Sequence, residues 1–242
     1  MFKNLKSLFV VEEENGKQVI KHREDLAAGA PLAITLEAAI EGAIDALPIP
    51  KVMAYQLHEN CVQPGWTTEK FVRPAHKLVV LHGDEVPQPE VMVLGLTAGR
   101  ETQGHRFEAK NPFVSIKDAD SYAQQMESEG AVIPGFAARR AEIVRQLEAA
   151  AAKEGLKPIE DDALLEEVTA LVERPNVLTC TFEQEFLDVP QECLILTMKA
   201  NQKYFPLLDA AGRLTNKFLV VSNIRPADPS AVIGGNERVV RP

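Results

Sequence analysis

Between Asp118 and Pro175 three helical signals follow one another, and β-rich runs flank them on both sides. That segregation into blocks, in place of strict alternation of strand and helix, favours an α+β fold over a doubly wound parallel sheet. Asp118 can cap a first helix that closes near Gly130. Gly135 to Glu154 is rich in Ala, Arg, Glu and Gln, all good helix formers, before Gly155 stops it. A third helix runs from Asp161 or Asp162 to Glu173, with Leu164, Leu165, Val168, Leu171 and Val172 on one apolar stripe and Pro175 beyond it. The helices are expected to cover one side of a mixed, largely antiparallel sheet.

The flanking blocks supply that sheet. Leu8 to Glu12 and Gln18 to Lys21 surround Glu14-Asn15-Gly16-Lys17, and an Asn-Gly pair accepts the positive φ angles of a type I′ turn, so the chain opens on a hairpin. From Thr35, the expected N-cap, residues Leu36, Ile40, Ile44 and Leu47 recur at helical spacing until Pro48 and Pro50, and one face of that helix should be buried. Tyr55 to Thr68 lacks periodicity and reads as a long loop carrying the only tryptophan, Trp66. Lys77 to His82 and Glu90 to Leu96 lie on either side of Gly83-Asp84-Glu85-Val86-Pro87 and predict a second hairpin, of core strands. After the helical block, Val177 to Phe182, Lys203 to Leu208 and Phe218 to Val221 are strand-like, Pro190 opens a short helix, and Asp209-Ala210-Ala211-Gly212 turns between two strands. One main unit over residues 1–242 is expected, with hairpin and helix in 1–50, strands and a long loop in 51–116, helices in 117–175 and strands in 176–242.

A net charge of −9 opposes a broad non-specific nucleic-acid surface, so any RNA contact is expected at a local patch. No apolar run approaches the roughly 20 residues needed to cross a bilayer, and no membrane partner is expected. The first residues lack the pattern of a signal peptide, and Cys61, Cys180 and Cys193 are too few and too scattered for a disulfide framework, which points to a reducing cytoplasm. His58 and Cys61 form an H-x-x-C with His76 and His82 downstream, but no second tight ligand pair accompanies them, so no metal is expected. Glu160, Asp161 and Asp162 read as a helix-start cluster that complements the macrodipole. No glycine loop of the Walker or dinucleotide type is present.

Chemistry concentrates in short runs: Lys70-Phe71-Val72-Arg73-Pro74, Gly104-His105-Arg106-Phe107, Met198-Lys199, Gln202-Lys203-Tyr204-Phe205-Pro206 and Gly235-Asn236-Glu237-Arg238-Val239. They set donors or cations beside an aromatic ring or a glycine, a mixture that can hold an anion or stack on a base. Structural roles compete at every one. Arg106 could orient a phosphate, or pair with a carboxylate while His105 bonds to backbone and Phe107 enters the core. Lys199, Lys203 and Tyr204 could face a sugar-phosphate chain, or Tyr204 and Phe205 could alternate across a strand with the lysine merely solvated. Arg225, Arg238 and Arg241, with Gly234 and Gly235, suggest either a glycine-rich turn that meets an anion or a junction with a following domain.

In this order and at these intervals the runs resemble the beta subunit of the bacterial heterotetrameric glycyl-tRNA synthetase, from roughly Leu47 to Arg241. Leu47-Pro48-Ile49-Pro50-Lys51, Leu164-Leu165-Glu166-Glu167-Val168, Leu171-Val172-Glu173 and Val189-Pro190 are further landmarks. The pattern departs at Arg174, where the family commonly has tryptophan, and after Lys51, where the segment is longer and lacks the usual Trp-Gly pair. The resemblance implies an internal piece of a longer chain, with a segment before Met1 and an HD-like region and an anticodon-binding domain after Pro242. It also implies a fold similar to the editing-type module of the phenylalanyl-tRNA synthetase beta subunit, a likeness that transfers no activity.

By that resemblance the holoenzyme activates glycine with ATP and Mg²⁺ and transfers it to tRNA(Gly). The family places both steps in the alpha subunit, so neither a catalytic residue nor a cofactor is expected here. The implied partners are the alpha subunit and tRNA(Gly), and the implied role is scaffolding with tRNA contacts drawn from Arg73, His105, Arg106, Lys199, Lys203, Tyr204 and Arg238. Two other roles stay open: a hydrolytic editing domain acting on mischarged tRNA, and a pure alpha–beta interaction module.

Overall fold

The computed structural model describes residues 9–22, 29–73 and 75–241, so Leu8, Pro74 and Pro242 of the features above lie outside the described residues. Strands β1 (Phe9–Glu14) and β2 (Lys17–His22) pair antiparallel about Asn15 and Gly16, whose φ angles of 54° and 74° suit the expected I′ turn. Helix α1 (Leu32–Asp45) begins ahead of Thr35: Pro31 takes the N-cap position, and the Thr35 hydroxyl donates back to the Pro31 and Leu32 carbonyls at 3.0 and 3.1 Å. Leu36, Ile40 and Ile44 are only half-buried and Leu47 is exposed, so the apolar face expected to be buried is largely open among the described residues.

Strands β3 (Met53–Gln56) and β4 (Thr68–Phe71) pair antiparallel, with Tyr55 and Phe71 edge to face at 5.4 Å. The expected Tyr55–Thr68 loop is therefore shorter, its two ends being strand, and Trp66 within it is 84% exposed. Next come β5 (Leu78–Val79), β6 (Met92–Val93) and β7 (Leu96–Gly99). The second hairpin expected here is replaced by a parallel pairing of β5 with β7. A single bridge, His82 with Glu85, closes the local turn, and Pro87 and Pro89 just beyond it have no N–H to extend a ladder.

Strands β8 (Glu101–Gln103) and β9 (Phe113–Ser115) form a further hairpin ahead of the helical block. That block holds α2 (Tyr122–Ser128), α3 (Phe136–Lys153) and α4 (Asp162–Leu171), with the short strand β10 (Lys157–Pro158) between the last two. Asp118 sits one turn early: its carboxylate accepts from the Ser121 N–H at 2.7 Å, and the helix starts after Ser121. Asp161 does cap α4, accepting from the Leu164 N–H at 2.9 Å. The remainder comprises β11 (Asn176–Thr181), a 3-10 turn at Gln184–Asp188, α5 (Gln191–Gln202), β12 (Phe205–Leu208), β13 (Leu214–Ser222) and α6 (Ser230–Val240).

Backbone contacts divide the chain into two compact units, Met1–Pro74 with Pro87–Gly95, and Ala75–Val86 with Leu96–Pro242. In the first, Ala33, Val91 and Val93 are buried, and the Met92 N–H donates to the Glu37 carboxylate at 3.0 Å. The second is built on a four-stranded antiparallel sheet in the order β10-β12-β13-β11. Because side chains alternate along a strand, the continuous apolar run Phe218 to Val221 feeds both faces. Leu219 and Val221, with Phe205, Leu207 and Val177, pack on Ile143, Leu147 and Ala151 of α3 and on Leu164, Leu165 and Val168 of α4. Phe218 and Val220, with Cys180 and Tyr204, pack on Met198 of α5, Phe186 of the 3-10 turn and Ile233 of α6.

The sheet is thus covered on both faces. The expected one-sided cover of three helices holds for α3 and α4 only; Met126 of α2 packs instead with Val114 and Ile116. The second layer is α5 and α6, and α6 runs through Gly234 and Gly235, so the glycine-rich turn that was one of the two readings there is not formed. Cys180 lies opposite Phe218 with no exposed surface, and burial, aided by Glu237, pushes its thiol up to about 12.

Polar bonds fix the ends of this sandwich. Glu142 on α3 receives a bidentate Arg145 at 2.7 Å through each nitrogen and the Gln146 amide, also at 2.7 Å; Gln146 in turn bonds the Pro175 carbonyl and the Val177 N–H at the start of β11. The Arg145 guanidinium, with Gln146 behind it, holds the Glu142 carboxyl down at about 2.

Phe218→Ala is expected to lower the unfolding free energy by about 3–5 kcal/mol, measured as a fall in the urea midpoint. For Glu142, a depressed folded pKa means stability that is present above the ordinary carboxylate range and lost as pH falls toward 2. Urea titrations from pH 5 down to pH 2 should therefore show a shallower loss of stability in Glu142→Gln than in the parent chain.

Candidate functional site

The Gly-His-Arg-Phe run leaves the end of β8, in the segment that links it to β9, and its four residues divide into an anchored pair and a displayed pair. The Gly104 N–H donates to the Pro112 carbonyl at 3.2 Å, closing the base of the segment. A side chain at Gly104 would place its first carbon 2.6 Å from the Ala109 methyl and 2.9 Å from the Gly130 backbone, closer than atoms can approach, so only glycine fits. The His105 N–H donates to the Gly130 carbonyl at 2.6 Å. Its ring is 3% exposed, with Nδ1 accepting from the N–H groups of Phe107 and Glu108, each at 3.2 Å. Nδ1 is the acceptor, so the ring proton resides on Nε2, which is buried and without a partner among the described residues.

Arg106 and Phe107 take the opposite course. Phe107 is 73% exposed, and the Arg106 guanidinium lies 5.5 Å from its ring centre. Phe107 thus stays out of the core, and Arg106 has no ion pair among the described residues. The next residue, Glu108, returns to the fold: its carboxylate pairs with Arg174 at 2.9 Å and accepts from the Arg225 N–H.

Lys199, Lys203 and Tyr204 come together at one corner of the sandwich, engaged by the protein itself. Lys199 pairs with the Asp161 carboxylate, which that bond and the Leu164 N–H hold below the usual carboxylate range. Lys203 ends α5 in the left-handed region at φ 59°, a conformation usually left to glycine; its ammonium bonds Glu167 and the Ala200 carbonyl, both at 2.9 Å. Tyr204 is 3% exposed, its ring lies 4.8 Å from that of Phe218 with the planes tilted by 30°, and its hydroxyl donates to the Asn236 side chain at 2.8 Å. Glu237, next to Asn236, accepts from both the N–H and the hydroxyl of Thr181 on β11. The Lys-Tyr-Phe-Pro and Asn-Glu-Arg runs therefore lock α5, α6 and the sheet to each other.

Arg238 is exposed on α6, with its Nε on the Gly234 carbonyl at 3.0 Å, and Arg241 pairs with Glu183 at 2.7 Å. Arg73 is exposed at the end of β4, in the first unit. No three of His, Cys, Asp and Glu converge as a metal site would need among the described residues, and the Cys61 thiol faces the Leu57 carbonyl at 3.6 Å.

Sequence alone did not single out Phe113 and Lys77. Phe113 is 48% exposed on β9, and the Lys77 ammonium stands 5.4 Å from its ring centre while bonding Glu101 at 3.0 Å. A signal existed: in Phe113-Val114-Ser115-Ile116 the two aliphatic residues alternate into the core, which turns Phe113 outward. Lys77 carried no such mark, because its neighbours in the fold lie far along the chain.

Gly104→Ala should destabilise the chain by about 1–3 kcal/mol, lowering its Tm by several degrees in a thermal melt, because the backbone of Gly130 cannot yield.

Residues 3–242 match the family model described as the glycyl-tRNA synthetase beta subunit. Over 230 residues the chain is 68% identical to the glycine–tRNA ligase beta subunit of Leptothrix cholodnii, an alignment that covers 95% of this chain and 31% of that protein. It is 66% identical over 230 residues to the glycine–tRNA ligase beta subunit of Thiobacillus denitrificans, covering 95% of this chain and 32% of the relative. The same 66% holds over 236 residues for that of Dechloromonas aromatica, with coverage of 95% and 32%. The chain spans about a third of the length of the curated relatives it matches. With a match that runs over nearly its whole length, the chain belongs to the glycyl-tRNA synthetase beta subunit family.

Proposed function

We propose that this chain serves a glycine–tRNA ligase as a scaffolding, tRNA-facing part of the beta subunit, supporting glycyl-tRNA formation from ATP, glycine and tRNA(Gly) while the alpha subunit carries the chemistry with its ATP and Mg²⁺. The observation that carries it is the split of the Gly-His-Arg-Phe run. Gly104 and His105 are fixed by close packing and backbone bonds, so Arg106 and Phe107 are held out to solvent from a segment with little freedom to move. A planar cation beside an aromatic ring, ordered in advance, loses little entropy on meeting a phosphate and a base.

The scaffolding half of the proposal draws on the other runs. Lys199, Lys203, Tyr204, Asn236 and Glu237 are committed to internal bonds, each tying one helix of the sandwich to another element. The alpha subunit and tRNA(Gly) are the partners that this role requires. The cytoplasm is its setting, and no described helix is long and apolar enough to cross a membrane.

In a full-length beta subunit assembled with its alpha subunit, Arg106→Ala is expected to raise the KM for tRNA about tenfold and to leave kcat nearly unchanged. That is the signature of lost binding without lost chemistry, from one charge-assisted contact worth roughly 1.5–3 kcal/mol. An unchanged KM, or a fall in kcat alone, counts against a tRNA-facing role.

A further inference from the structure

Both exposed rings at the loop end of the β8–β9 hairpin have a cation beside them. Phe113 pairs across the hairpin with Gln103, and the segment carrying Arg106 and Phe107 rises directly from that pair. The Arg106 guanidinium stands 5.5 Å from the Phe107 ring and the Lys77 ammonium 5.4 Å from the Phe113 ring. Neither ring serves the core: they are 73% and 48% exposed. Lys77 is held in place by Glu101, and with Val79, Leu81, Thr102, Ala119 and Tyr122 it lines a hollow of about 360 Å³. That volume is at the lower end for a ligand site and suits a single flat ring system.

We propose that this end of the hairpin, with the hollow beside it, binds single-stranded nucleic acid: unpaired bases stack on Phe107 and Phe113, and Arg106 and Lys77 meet the phosphates between them. The proposal deepens, and rests on, the tRNA-facing role given above. Two considerations select unpaired bases over a duplex. A ring can stack on a base only where the base has left its own stack. Duplex binding draws mainly on many phosphate contacts, and here two cations serve a chain whose net charge is −9.

The test is fluorescence anisotropy of the 242-residue chain with a labelled hexaribonucleotide and, separately, with the same sequence as a duplex and with intact tRNA(Gly). The single strand should bind at least tenfold more tightly than the duplex. Phe107→Leu and Phe113→Leu, which keep apolar bulk and remove the stacking face, should each weaken it about fivefold or more. The slope of log K against log salt should be about −1.4, the value for two phosphates on a single strand. Equal or tighter binding of the duplex overturns the proposal, as does indifference to both leucine variants. If tRNA binds in an Arg106-dependent way while the single strand does not, the single-strand assignment falls and the tRNA-facing role stands. If no RNA binds and the leucine variants instead lose the alpha subunit in co-purification, both fall and the surface is a protein contact.

Discussion

Phe218 and Leu219 are neighbours in the chain, both without exposed surface, and they point to opposite faces of one sheet. Burying two such side chains in succession requires cover on both faces, since leaving either in water would forgo roughly 1.5–3 kcal/mol. The rest of the second unit follows from that requirement. Helices α3 and α4 meet Leu219; α5, the 3-10 turn and α6 meet Phe218. β13 sits inside the sheet, between β12 and β11, and so has no open edge. A solvated face on that strand would have called for polar residues at every second position, and Phe-Leu-Val-Val supplies none.

Within the sandwich the short sequence runs do different work. Most are joints. Tyr204 reaches Asn236, Glu237 reaches Thr181, Lys203 reaches Glu167, and Lys199 secures the carboxylate that caps α4. Removing one partner of such a bond strands the other in a half-buried place, whatever the protein binds. Arg106 and Phe107 differ in kind: both are exposed, and among the described residues Arg106 has the Phe107 ring beside it and no ion pair. The contrast within four consecutive residues separates a fold requirement at Gly104 and His105 from an exposed pair at Arg106 and Phe107.

Much of this was legible in the residues. The Asn-Gly hairpin, the stop of α3 at Gly155, the cap at Asp161 and the strands β11 to β13 depend on local chemistry, and local chemistry can be read in order. What escaped depends on partners distant along the chain. Gly234 and Gly235 disfavour helix by about 1 kcal/mol each, which left a turn or a junction as the readings; Ile233 against the sheet, with Asn236 and Glu237 bonded to Tyr204 and Thr181, outweighs that penalty. The left-handed Lys203 was equally hidden, because its tether to Glu167 spans two helices. The sequence left open whether the Phe107 ring enters the core, and the turn imposed by His105 puts it outside.

The position of Cys180 has one more consequence. Thiols attack electrophiles as thiolates, and a thiol held near 12 inside a covered sheet is almost never ionised at neutral pH. Its reaction must wait for the layers to part, whereas Cys193 at the surface is open to reagents at any moment. The slow modification of this one sulfur is therefore a clock internal to the molecule, ticking at the rate with which the sandwich breathes.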